Sequence, residues 1–218
     1  MKRLAPLVLL LVTCGEAAAH GSAKGLGDFF GGAVHPLIEP IHLIAIAALG
    51  LLIGQRGLDQ TRPAALCFAC GSAIGLALAG MDWTVDTDVA LLALSALAGV
   101  WVAASAGLPR LVGGAGAALL GMGIGLGSRP EASSGGAMIA ALIGTWAGAS
   151  AWMLNLVVLV THLKRPWMQI LVRVVGSWAA ASSVLVLALW ISGKHALPPA
   201  VGNPLSKAAA SLELDTKR

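Results

Sequence analysis

The chain has 218 residues, 57% of them apolar and only 11% charged, with a mean hydropathy of +0.85. Soluble proteins run near half apolar and a quarter charged. This chain therefore could not cover its apolar surface in water. Disordered chains, nucleic-acid-binding modules and most soluble enzymes are excluded, and a bilayer is its natural solvent. The net charge of +4, from 14 basic and 10 acidic residues, then speaks to topology rather than to an anionic partner.

Lys2 and Arg3 precede the apolar run Leu4 to Val12, followed by Cys14-Gly15-Glu16 and the small residues Ala17-Ala18-Ala19. A positive start, a short apolar core and an A-x-A site predict a secretory signal peptide over 1–19, with cleavage leaving His20 first. Residues 20–35 are then a short external segment, 36–192 a transmembrane domain and 193–218 a polar external tail.

Six apolar segments follow the leader, at about 36–55, 63–80, 88–107, 111–128, 136–162 and 167–192. Each approaches or exceeds the roughly 20 residues that cross a hydrocarbon core. The predicted fold is an all-α membrane protein, a six-helix transmembrane bundle. Arg56, Arg62, Arg110, Lys164 and Arg165 sit in the first, third and fifth loops. The second and fourth loops hold Arg129 as their one basic residue. The positive-inside rule puts the odd loops in the cytoplasm and both mature termini outside the inner (plasma) membrane.

Glycine recurs at four-residue spacing inside the spans: Gly71 and Gly75, Gly121 and Gly125, Gly123 and Gly127, Gly144 and Gly148. This spacing lets helix backbones approach closely. It predicts a compact bundle with the glycine-rich fourth span near its centre. Cys67 and Cys70 sit in an apolar stretch without a second pair and read as small hydrophobes.

Ionisable groups in a span are functional candidates by default. His35-Pro36-Leu37-Ile38-Glu39-Pro40-Ile41-His42 opens the first span. At about 100° per residue, Glu39 and His42 fall about 40° and 20° either side of His35, on one helical face. Pro40 interferes with that face, and a regular helix starting near it leaves His35 to Glu39 as an irregular approach. Two imidazoles and a carboxylate suit a borderline divalent metal. Interfacial histidines at a helix start, with Glu39 at the positive helix end, are the other reading. His20 is a further metal candidate through its amine and imidazole. Asn155 and His162 are candidates for a transport path or a helix contact. No GxSxG, HExxH or phosphate loop is present, and no enzyme is expected.

Gly32-Ala33-Val34-His35-Pro36-Leu37, continued by His42 to Leu51, resembles the HupE/UreJ family of hydrogenase- and urease-associated membrane proteins. That family's first span carries H-P-x-x-G-x-D-H. His35, Pro36 and His42 match it, while Glu39 and Ile41 stand where the motif has Gly and Asp. A later family motif, H-G-x-A-H-G-x-E, would fall near Gly121 to Gly127, where glycines are kept and histidines are not. The resemblance implies a secondary permease or delivery protein for a divalent metal ion, nickel or cobalt, as substrate rather than cofactor. The missing histidines leave an alternative, a non-transporting accessory or structural subunit that kept the bundle and lost the ion route. Either implies a lipid environment, with a membrane protein partner or a second copy of the chain, and no nucleic acid.

Overall fold

A computed structural model of the chain describes residues 27–81, 83, 85–128 and 135–196. The expected signal peptide, His20, the Arg129 loop and nearly all of the polar tail lie outside them. The described residues form seven helices and no strand: α1 Gly27–Ile38, α2 Pro40–Gly54, α3 Leu58–Gly80, α4 Asp88–Ala104, α5 Arg110–Gly127, α6 Gly135–His162 and α7 Pro166–Ala196.

Four of these, α3, α5, α6 and α7, are long and apolar enough to cross a membrane, and α1 with α2 makes a fifth span if the bent pair counts as one. The six-span expectation thus has four or five counterparts by length. The shortfall is α4, which has 17 residues. It ends where Ser105 turns left-handed at φ 49, just before Gly107 and Pro109. At about 1.5 Å per residue it covers about 25 Å, short of a typical hydrocarbon core. The outward faces remain apolar, with Leu66, Ile74, Leu97, Leu111, Ile139 and Leu185 all exposed.

The sequence predicts a short external segment over 20–35 and leaves 35–39 either on the face of a straight first span or in an irregular approach to Pro40. The chain is instead helical up to Ile38, and only Glu39 leaves the helix. Pro40 explains the single break. The residue before proline is pushed out of the helical region, and Glu39 sits at ψ 111. Proline itself is well placed as the first residue of the next helix, where its missing N–H costs nothing. The two helices meet at 75°.

Three helix pairs are joined at glycine. On α6, Gly144 and Gly148 face the carbonyls of Phe29 and Ala33 on α1. Between α3 and α5 the contact is reciprocal: Gly71 and Gly75 face Ala118 and Met122, while Gly121 and Gly125 face Phe68 and Ser72. Gly99 on α4 lies against the backbone of Gly176 and Ala180 on α7. In each case an added Cβ would collide with backbone, which cannot swing aside.

The fourth expected span, α5, does not hold the centre. The short α2 does, because it touches each of the other six helices. Ala45, Ile46, Leu49 and Ile53 of α2 meet Phe68, Leu91, Leu120, Ile124 and Met153 in the main core. A second core gathers around Ala48, Leu51 and Leu52 with Val102, Val160 and Val172. With no polar face, α2 can be enclosed on every side without burying a polar side chain other than His42. Cys70, read as a buried small hydrophobe, is exposed on α3, and Cys67 is half-buried.

Gly75→Leu is expected to destabilise the detergent-solubilised protein by about 1–3 kcal/mol, the usual cost of overfilling a packed contact. Gly116→Ala, which has nothing within 4 Å of the added Cβ, is expected to be neutral or slightly stabilising, by up to about 1 kcal/mol. Thermal unfolding of both variants checks this, and equal melting would remove the glycine contact as the basis of the α3–α5 pair.

Candidate functional site

His42 begins α2 and lies at the centre of the bundle, with 1% of its surface exposed. Its neighbours come from two distant parts of the chain. Ser128, just past α5, places Oγ 3.5 Å from His42 Nδ1. On the other side of the ring is Gly127. A Cβ there would lie 2.9 Å from His42 Nε2 and 3.1 Å from Thr87 Oγ1. Thr87 precedes α4, and its hydroxyl donates to the Gly123 carbonyl at 3.2 Å instead of capping its own helix. That bond ties the start of α4 to the end of α5, beside the Gly127 that borders the imidazole. Thr87 and Ser128 are both buried.

His35 occupies the last turn of α1 and meets His42 across the bend. The two rings stand edge to face, with centroids 6.0 Å apart and planes at 71°. Glu39, at the bend, is half-buried and makes no side-chain cap bond to α2. Among the described residues, no three His, Cys, Asp or Glu side chains are grouped to hold a metal ion. The physical reason is the 75° turn, because the shared helical face assumed for His35, Glu39 and His42 requires one straight helix. The structure keeps the two imidazoles together and adds two hydroxyls. The result is a nitrogen- and oxygen-bearing cluster that carries no fixed charge when its histidines are neutral.

The remaining candidates lie elsewhere. Asn155 is exposed and donates to Ala151 O of its own helix at 2.8 Å. His162 ends α6, also exposed, with Nδ1 2.7 Å from Val158 O. Gly71, Gly75, Gly121, Gly125, Gly144 and Gly148 serve the helix contacts described above, whereas the pair Gly123 and Gly127 faces the Leu91 and His42 side chains. Thr87 and Ser128 escaped sequence reasoning because hydroxyl residues near span ends are common and carry no spacing signal. Trp146 on α6 is partly exposed, yet its indole N–H donates across to Ala69 O on α3 at 2.9 Å.

The model of the HupE / UreJ protein family matches residues 8–187 of this sequence, most of the chain. The chain belongs to that family. It is accordingly an all-helical membrane protein, consistent with its apolar outward faces and its four or five membrane-length spans. No match is found among curated proteins or among solved structures. The segment Gly121 to Gly127, where the family's later histidine motif would fall, is the end of α5 that closes over His42.

Gly127→Ala is expected to displace the His42 ring and Thr87, with a stability loss of about 1–3 kcal/mol. In imidazole NMR of the purified protein, the His42 signal should shift while that of His162 stays in place. An unmoved His42 signal would show that Gly127 does not seat the ring.

Proposed function

We propose that this HupE/UreJ member is a membrane permease or delivery protein for a divalent transition-metal ion, nickel or cobalt, and that it is not an enzyme. The observation that carries this reading is the pair of imidazoles, His35 and His42, facing each other across a broken span at the core of the bundle. Broken helices at membrane depth mark substrate sites in transporters. Imidazole suits divalent metals of this class.

In this reading the ion arrives from outside and exchanges water for the imidazole nitrogens. A metal–imidazole bond runs at about 2.0–2.1 Å for zinc. Rings with centroids 6.0 Å apart can share one ion after a modest rotation. Ser128 and Thr87 orient His42 or supply oxygen contacts, and Glu39 at the bend accepts a proton or balances charge during exchange. The end carrying Arg56, Arg110, Lys164 and Arg165 is cytoplasmic, both mature termini lie outside, and α4 completes a six-span bundle in the inner membrane.

One observation favours the alternative of a non-transporting accessory subunit. Gly127 closes on His42 with no third ligating side chain among the described residues. The two readings part on a single titration. Purified protein is titrated with Ni, Co, Cu and Zn by calorimetry, as wild type and as His35→Ala/His42→Ala. The permease reading expects stoichiometric binding that the double substitution abolishes and that Ser128→Ala weakens about 10-fold, the scale of a lost supporting contact. Metal uptake into vesicles should fall in parallel. Absence of binding by the wild type would remove the metal reading and direct attention to a protein partner.

A further inference from the structure

At the opposite end of α2 from His42 lies a partly open cavity of about 600 Å³. It is bounded by the ends of α2, α4 and α6 and by the first turns of α7, and its size is that of an ordinary ligand site. Arg56, Lys164 and Arg173 line it together with Gln55, Ser105 and Gln169, and among the described residues no Asp or Glu does. Three positive charges facing one space repel a metal cation and attract an anion.

Two of the charges are held in place. Arg173 Nε donates to Ala103 O at 2.8 Å, and Arg56 Nη2 donates to Ala106 O. Gln55 Nε2 adds a bond to Val102 O at 3.3 Å. The Val102 and Ala103 carbonyls end α4 and Ala106 lies just past it, where orphan acceptors and the negative end of the helix favour cations. The same contacts fix the guanidinium orientation and leave other N–H groups over. Arg56 Nε is buried with no hydrogen-bond partner among the described residues. Burial also lowers the Arg56 pKa. Guanidinium forks match tetrahedral oxyanions, phosphate above all.

We propose that this cavity binds the phosphate of an anionic phospholipid headgroup, held by Arg56, Lys164 and Arg173. The lipid source follows from position. Trp167, Ile170 and Leu171 are exposed beside the cavity on α7, the least buried of the membrane-length spans. An acyl chain can therefore run along α7 while its headgroup enters between the helix ends. Basic pockets between spans take anionic headgroups in this way. The site is independent of the metal reading and of which face it occupies.

Native mass spectrometry of the full chain in detergent tests it, with phosphatidylglycerol and phosphatidylcholine of identical acyl chains as probes. Phosphatidylglycerol should be retained at least about 10-fold better, and losing one cavity charge by Lys164→Ala or Arg173→Gln should cut its retention about fivefold. Arg165→Ala, a neighbouring exposed charge that does not line the cavity, should change it less than about twofold. Should Arg173→Gln fail to fold for want of its α4 contact, the exposed Lys164 carries the test. Equal retention of the two lipids, or equal losses for Lys164→Ala and Arg165→Ala, would overturn the proposal. Displacement by an equal concentration of inorganic phosphate would overturn the lipid assignment and give the cavity to the soluble ion.

Discussion

The backbone-to-backbone approach of helices at glycine is the constraint on which the rest of this structure depends. In a bilayer, burying a leucine against another helix gains little, since lipid tails are equally apolar, so association relies on close contact. Here glycines four residues apart meet carbonyls four residues apart, Gly144 and Gly148 on Phe29 and Ala33, Gly71 and Gly75 on Ala118 and Met122. Matching spacings fix axial register as well as distance. The register of α5 on α3 carries Gly127 and Ser128 to the level of His42. A structural device thereby sets the geometry of the candidate site.

The second consequence is the placement of α2. Three tightly joined pairs, α1–α6, α3–α5 and α4–α7, surround one short helix that contacts every other. Gly50 and Gly54 let α2 sit directly against Leu156 and Val160 of α6. A helix so enclosed cannot also run on straight to Gly27, and the break before Pro40 lets α1 turn away to pair with α6. One proline thus separates a packing element from a central element and leaves a histidine on each side of the turn.

What could be read from the amino acids was whatever depends on composition and local chemistry. The run of apolar residues and the loop residues between them located α3, α5, α6 and α7 within a few residues. The four-residue glycine spacing marked the contacts before any partner was known. Three-dimensional choice was not legible, and α2 shows why. Periodicity reveals an inward face only when another face is polar, and Ile41 to Gly54 contains one polar side chain, His42. That α2 is central, that Asn155 points outward, and that Cys70 is exposed are all decided by which helices pair. The enclosure of His42 by Thr87 and Ser128 depends on residues 45 and 86 positions away, and no local signal links them.

The fold also gives a physical meaning to the chain's departure from its family's pattern. The first-span motif and the segment where the later histidine motif would fall are neighbours in space, because Gly127 rests on the His42 ring. The glycines there leave no hole. The ring and the Thr87 hydroxyl occupy the space, and Ser128 borders it on the other side. Oxygen from a neutral hydroxyl is a poorer partner than imidazole for nickel, cobalt or zinc. In the proposed permease, a site of two imidazoles and two hydroxyls would therefore hold such an ion less firmly than one with additional histidines. For storage that is a defect. For passage it need not be one, since conduction requires a site favourable enough to enter and weak enough to leave. The glycines of α5 thus hold α3 close, and in the proposed permease they would also limit how tightly His42 and its neighbours retain an ion.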